Sequence, residues 1–185
     1  IRDRETIDIA VEASLTGHLV LSTIHTNSAV ETLTRIDNMG VPPFLMTATI
    51  NTIIAQRLVR RICQNCKEVQ TIDAATLAMV KKTLAVLSKE SGIDEALLQN
   101  LTFYHGKGCE ICENVGYKGR LGLYEVLRMS NPLRRLVLNR APAMDVEKAA
   151  IENGMISLEQ AGIIKALRGE TTLEEVYRVA RKMDF

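Results

Sequence analysis

Two C-x-x-C pairs are the feature that most constrains how this chain folds. Cys63 and Cys66 form the first pair, Cys109 and Cys112 form the second, and together they are all the cysteines of the chain. This spacing lets two thiolates of one turn bind the same ion, and two such turns complete a tetrahedral site with bonds of roughly 2.3 Å. The sequence therefore predicts a Zn²⁺ site that brings these distant segments together.

Other uses of the four cysteines explain the pattern less well. Disulfide bonds are disfavoured in a cytoplasm that keeps thiols reduced, and a redox C-x-x-C needs only one pair. His105 lies four residues before Cys109 and is a competing ligand, although four thiolates are already available. Four protein ligands leave no coordination position for water, so the expected zinc is structural rather than catalytic.

A short apolar run near the start predicts a buried strand with a histidine at each end. In residues 19–24, Leu19, Val20, Leu21 and Ile24 form a nearly continuous apolar run, which is typical of a strand covered on both faces in a parallel sheet. His18 precedes the run and His25 follows it. Ligands of open α/β sheets bind beyond the carboxyl ends of strands, which favours a phosphate near His25. The alternative is that each histidine only satisfies a nearby carbonyl.

Four segments resemble the type II/type IV secretion ATPase superfamily. IRDRET (residues 1–6) resembles the end of its Walker B region, and TGHLVLSTIHTN (residues 16–27) resembles its histidine box. AQRLVRRIC (residues 55–63) and GYKGRLGLYEV (residues 116–126) are similar to its secretion and pilus-assembly branch. The resemblance covers essentially the whole chain and is weakest between residues 68 and 100.

The resemblance implies an α/β fold: the distal part of a RecA-like domain of the P-loop NTPase class, with a tetracysteine zinc-knuckle insertion and a C-terminal helical portion. The expected boundaries are 1–62 for the distal RecA-like part, 63–126 for the zinc-knuckle subdomain and 127–185 for the helical portion.

The resemblance also implies roles for particular residues. It makes His25 and His18 catalytic residues on the nucleotide side. It places Arg2, Arg4 and Arg57 at the nucleotide or at a subunit interface. The alternative is that Arg2 and Arg4 are simply solvated and that Arg57 offsets a helix dipole.

The function implied by the resemblance is that of a homo-hexameric traffic ATPase. Such an enzyme would use ATP and Mg²⁺ to power type IV pilus assembly or type II protein secretion, acting from the cytoplasm on an inner-membrane platform protein. The chain begins with Ile1 inside a motif and contains no G-x-x-x-x-G-K-[ST] loop. We therefore expect a fragment that does not hydrolyse ATP alone.

Charge and hydropathy argue against two other kinds of partner. The 23 basic residues nearly balance the 22 acidic ones, so no bulk attraction to nucleic acid or anionic membrane is expected. No apolar run is long enough to insert into a membrane. Two alternatives to the motor remain: a non-catalytic adaptor that docks the secretion platform, and a zinc-ribbon module that binds nucleic acid through Arg57, Arg60, Arg61 and Lys67.

The remaining patterns predict mostly helices. Helices are expected at 5–15, after a capping box at Ser28 up to Gly40, and at 44–62, 76–87, 94–100, 133–138 and 145–152. Two further helices should begin at capping boxes formed by Ser157 with Gln160 and by Thr172 with Glu175. Strands are expected at 101–105 and 121–129.

Overall fold

The computed structural model describes residues 1–99 and 101–180, which form two compact units. Unit 1 contains Ile1–Ala55 and Glu125–Met155, and unit 2 contains Gln56–Tyr124 and the chain from Ile156 onward. The domain boundaries predicted after residues 62 and 126 were drawn from sequence motifs. They describe functional regions and stay a prediction. No helix among the described residues is both long and apolar enough to cross a membrane.

Helices make up most of the regular structure. They are α1 (Arg4–Leu15), α2 (Ala29–Asn38), α3 (Pro43–Thr49), α4 (Ala74–Ala85), α5 (Glu95–Gln99), α6 (Asn131–Leu138), α7 (Ala143–Glu152), α8 (Leu158–Leu167) and α9 (Leu173–Ala180). The strands are β1 (Thr52–Ile62), β2 (Lys67–Gln70), β3 (Phe103–Gly106) and β4 (Tyr117–Arg128). Single 3₁₀ turns lie at Lys89–Ser91 and Glu110–Cys112.

Unit 1 packs its helices against one another. Helix α3 contacts α1, α2 and α6, and α7 contacts α2 and α6. Helix α1 begins where the Asp3 carboxylate accepts the Thr6 N–H, and it is followed by Gly17 at φ +89°, as the sequence predicts. The core side chains with almost no exposure include Ile7, Val30, Leu33, Val41, Met46, Leu127 and Leu133.

Unit 2 packs α8 against α9, α4 and β3. Strands β2 and β3 are antiparallel, with Lys67 opposite Gly106 and Gln70 opposite Phe103. Its core is formed by Val80, Leu84, Phe103, Ile163, Ile164, Ala166, Leu167, Leu173 and Val176. The predicted capping box of α8 is confirmed, because Ser157 accepts the Gln160 N–H and Gln160 accepts the Ser157 N–H.

The predicted helix at 44–62 is wrong beyond residue 49. Helix α3 ends at Thr49, and β1 runs from Thr52 to Ile62 beside β4. The buried residues Ala55 and Val59 are four apart, a spacing that one face of a helix and one face of a strand share. The β-branched run Thr52, Ile53, Ile54 favours the strand.

The predicted buried strand at 19–24 is also not formed. Residues 18–26 contain no helix or strand, and the side chains of Leu19 and Leu21 are 87% and 86% exposed. A strand buried on both faces needs neighbouring strands and covering helices, and the described residues supply none around this segment. The two sheets of the described chain have only two strands each, β1–β4 and β2–β3. The RecA-like parallel sheet therefore stays a prediction.

The other predicted elements are confirmed within a few residues. Helices α4, α6 and α7 and strands β3 and β4 lie where the sequence places them. Helix α5 ends at Gln99, and the last residue of the helix predicted at 94–100 lies outside the described residues.

Candidate metal centre and histidine segment

The four cysteines meet in one cluster within unit 2. All four Sγ atoms lie within 4.8 Å of one another. The Sγ–Sγ distance is 3.9 Å for Cys63 and Cys109, 3.8 Å for Cys66 and Cys112, and 3.7 Å for Cys109 and Cys112. A tetrahedral zinc with bonds of about 2.3 Å separates its sulfurs by about 3.8 Å. The cluster therefore has the dimensions of a four-thiolate zinc cage.

Backbone hydrogen bonds hold the two C-x-x-C turns against each other. Cys63 follows β1, and its N–H donates to Gly116 O at 3.0 Å. Cys66 precedes β2, and its carbonyl accepts the Lys107 N–H at 3.0 Å. Each turn is closed internally, with Cys66 N–H donating to Cys63 O and Cys112 N–H donating to Cys109 O. The two strands and the loop before β4 thus bring the four thiols together.

N–H groups point at the sulfurs from the surrounding loops. The backbone N–H groups of Gly108 and Gly116 donate to Cys66 Sγ and Cys112 Sγ, both at 3.3 Å. The Asn65 side chain donates to Cys109 Sγ at 3.4 Å. These donors offset the negative charge that four thiolates would bring together.

The same contacts change the acidity of the thiols in opposite directions. The hydrogen bond from Asn65 lowers the pKa of Cys109 to about 6. Burial raises the pKa of Cys66 to about 12, against the lowering effect of the Gly108 N–H. Cys66 and Cys109 of one cluster are therefore unequally acidic. A bound cation would release the remaining protons, because only thiolates are strong ligands.

The donor set fits a four-thiolate metal site better than disulfide bonds or a site that includes His105. The four cysteines are free thiols. Their Sγ–Sγ distances of 3.7–3.9 Å are far longer than a disulfide bond of about 2.05 Å. His105 is not among the clustered ligand groups; it lies in β3 opposite Glu68 of β2. Four soft sulfur donors in tetrahedral array are typical of zinc.

The histidine segment of unit 1 is accessible to solvent. His18 and His25 are both exposed. The His18 Nδ1 atom lies 3.0 Å from Thr16 Oγ1. Among the described residues, no other phosphate-binding group is found in contact with either ring. The nucleotide roles of His18 and His25 therefore stay predictions.

Two of the three arginines predicted at the nucleotide or at a subunit interface have local partners. Arg2 is exposed. Arg4 pairs with Asp8 at 2.7 Å and donates to Met39 O at 3.0 Å, where it satisfies a carbonyl at the end of α2. Arg57 donates to Gln56 O at 3.1 Å. These contacts explain where Arg4 and Arg57 lie, and their proposed interface roles stay predictions.

Sequence reasoning missed two buried carboxylates. Glu175 is 1% exposed, and its carboxylate binds the side chains of Arg60 and Arg178 at 2.7 and 2.8 Å. Only one hydrogen bond of the expected capping box therefore forms, the one that the Glu175 N–H donates to the Thr172 hydroxyl. Glu125 is 3% exposed and accepts the Ala29 N–H at 2.7 Å. The available signal for Glu125 was its place between Leu123 and Leu127 on the buried face of β4.

A family model described as "Type II/IV secretion system protein" matches residues 1–178. The chain therefore belongs to the type II/IV secretion system protein family, and the prediction made from its motifs is confirmed.

Similar relatives include pilus assembly ATPases and a type II secretion system protein. The chain is 41% identical over 181 residues to the type IV pilus assembly ATPase PilB of Pseudomonas aeruginosa, covering 98% of this chain and 30% of the relative. It is 44% identical over 177 residues to PilB of Myxococcus xanthus, covering 95% of this chain and 29% of the relative. It is 42% identical over 182 residues to type II secretion system protein E of Pseudomonas aeruginosa, covering 98% of this chain and 34% of the relative. The chain thus spans about a third of the length of these relatives.

Proposed function

We propose that this chain is the C-terminal part of an ATPase that powers type IV pilus assembly or type II protein secretion. The observation that carries the proposal is the family match, which extends through both units to residue 178. The whole protein would act as a homo-hexamer on an inner-membrane platform protein, from the cytoplasm, and without binding nucleic acid.

The whole protein would bind ATP and Mg²⁺ through a phosphate-binding loop that these 185 residues do not contain. Bound Mg²⁺ supplies positive charge to the phosphates. His25 and His18 are proposed to donate ring N–H groups to negative charge that develops on the phosphates. Their exposure leaves both rings accessible. Arg2, Arg4 and Arg57 are proposed to lie at the nucleotide or at a subunit boundary. The 185-residue chain alone is proposed not to hydrolyse ATP.

Residues 19–24 are proposed to become a strand of a RecA-like sheet in the whole protein. The support is that Leu19 and Leu21 are apolar yet 87% and 86% exposed. Burying two leucine side chains would favour pairing by about 3–6 kcal/mol in total. Pairing on both sides would hold His25 at the end of that strand, where ligands of parallel sheets bind.

The four cysteines are proposed to hold one Zn²⁺ ion with a structural role. The ion would join the end of β1, the start of β2 and the loop before β4 at a single point. The thiol geometry of this chain supports that role, since all four ligand positions are taken by protein.

Replacing His25 in the whole protein tests the proposed function. His25→Ala should lower kcat for ATP hydrolysis by at least about tenfold while changing the nucleotide KM less than threefold, because the ring acts on charge that develops in the transition state. His105→Ala, which removes an imidazole from unit 2, serves as the control and should stay within twofold of wild type. Unchanged turnover in His25→Ala would show that the ring is structural. A whole protein without Mg²⁺-dependent hydrolysis would overturn the ATPase assignment.

A further inference from the structure

A buried carboxylate of unit 1 binds the start of α2, the helix that follows the histidine segment. Glu125 projects from β4 with 3% exposure, and its Oε1 accepts the backbone N–H of Ala29 at 2.7 Å. Ala29 is the first residue of α2 and is fully buried. The contact joins residues 96 positions apart in the chain. It fixes the start of α2 four residues after His25.

Further hydrogen bonds connect this point to the segment that carries His25. Ser28 caps α2 by accepting the Glu31 N–H at 3.1 Å, and the Glu31 carboxylate accepts the Asn27 N–H at 3.0 Å. The Thr26 hydroxyl lies 2.8 Å from the hydroxyl of Thr32, which donates to Ser28 O at 3.1 Å. Every residue from 26 to 29 therefore takes part in a hydrogen bond at the first turn of α2.

The chemistry of this turn explains why a carboxylate is buried here. The first N–H groups of a helix have no partner within it and carry the positive end of the helix dipole. Ser28 satisfies one of these donors, and Glu125 satisfies that of Ala29. A hydrogen bond from an N–H to a charged carboxylate is about twice as strong as a neutral one. Removing the carboxylate would leave a buried donor unpaired and release the turn from β4.

We propose that Glu125 is a positioning residue for His25. Its carboxylate holds the N-terminus of α2 and, through residues 26–29, sets where the His25 ring lies. The inference rests on the proposed role of His25 in ATP hydrolysis. Glu125 lies 100 positions after His25 in the chain, and its own side chain need not touch the nucleotide.

Three substitutions in the whole protein separate hydrogen bonding from charge. Glu125→Gln keeps an oxygen at the same reach and should retain kcat within threefold. Glu125→Asp keeps the charge but withdraws the oxygen by roughly 1.5 Å, about one carbon–carbon bond, so it should behave like Glu125→Ala. Both should lower kcat by about tenfold or more with less than threefold change in KM, because small misplacements of a catalytic group are costly. The control Glu12→Ala removes an exposed carboxylate from α1 and should match wild type.

Two measurements decide whether the effect passes through His25. Combining Glu125→Ala with His25→Ala should lower kcat no further than His25→Ala does, since the carboxylate acts only by placing the ring. Hydrogen exchange in a peptide covering residues 23–32 should speed up in Glu125→Ala and Glu125→Asp but not in Glu125→Gln. Additive losses, an active Glu125→Ala, or a Glu125→Gln as impaired as Glu125→Ala would each overturn the inference.

The same experiment keeps the two proposals apart. If His25→Ala retains full turnover, the proposed catalytic role of His25 fails. Unchanged exchange at residues 23–32 in Glu125→Ala and Glu125→Asp would instead refute the positioning role, whatever His25 does. If Glu125→Ala does not fold, the contrast between Glu125→Asp and Glu125→Gln still gives the decision.

Discussion

Replacing Glu175 by Gln should remove a stabilising interaction whose size depends on pH. Burial tends to raise the pKa of this carboxyl, but hydrogen bonds from Arg178 and Arg60 outweigh it and lower the pKa to about 2 from an ordinary value of 4.5. A pKa lowered from 4.5 to about 2 corresponds to roughly 3 kcal/mol. The two guanidinium side chains are 48% and 55% exposed, so solvent screens part of this energy. We therefore expect a loss of about 1–3 kcal/mol in Glu175→Gln at pH 7.

The sign of the pH dependence follows from the lowered pKa. Because the folded state holds Glu175 ionised more firmly than the unfolded state does, its stabilisation is complete above about pH 4.5 and is lost as the pH falls towards 2. The difference in unfolding free energy between wild type and Glu175→Gln should therefore shrink from pH 7 to pH 3. Taking this difference cancels the effect of acid on the thiol cluster, which both proteins share.

Urea unfolding followed by circular dichroism at pH 7, 5 and 3 provides the measurement. Glu90→Gln, which changes an exposed carboxylate, is the control and should stay within about 0.5 kcal/mol of wild type. A Glu175→Gln variant as stable as wild type at pH 7 would refute the reasoning. So would a difference that is the same at pH 7 and pH 3.

Two further predictions concern the loops around the thiols. Gly116→Ala should destabilise the protein by about 2–4 kcal/mol, since Gly116 has φ +80° and a Cβ there would meet the backbone of Gly106. Gly119→Ala is the control: Gly119 has φ +83° with open space around it, so this change should cost only about 1 kcal/mol in the same urea assay. Equal losses of stability in the two variants would refute the steric argument. Asn65→Ala should weaken zinc binding by about tenfold in a chelator competition, because its amide donates to Cys109 Sγ. Gln64→Ala, whose amide donates to backbone carbonyls instead, should leave the affinity unchanged; equal affinities in the two variants would show that the Asn65 contact is unimportant.

Local signals in the sequence predicted the start of α8 and the thiol cluster well. The Ser157 and Gln160 pair forms the expected capping box because both partners lie within one turn and need nothing else. The cysteine spacing works in the same way, since each C-x-x-C turn presents two thiols by itself. Only the meeting of the two turns is long-range, and the need for four ligands predicted it.

Predictions failed where a distant partner decides the outcome. Residues 19–24 have the composition of a buried strand, but composition supplies no neighbouring strand, and Leu19 and Leu21 remain exposed in the described chain. Glu175 follows Thr172 at capping-box spacing, yet its carboxylate is taken by Arg60, which lies 115 residues earlier in the chain. Glu125 is likewise explained only by Ala29. Each of these carboxylates is bound by a group that sequence spacing does not reveal.

The candidate site depends most on the claim that four thiolates hold one structural zinc ion. Elemental analysis of the purified protein, together with Cys63→Ser and Cys109→Ser variants, tests it most directly. We predict about one zinc per chain in the wild type, and weaker zinc retention with a lower unfolding temperature in each variant. A well-folded wild-type protein that contains no zinc, and whose unfolding temperature is unchanged by zinc or by a chelator, would contradict the claim.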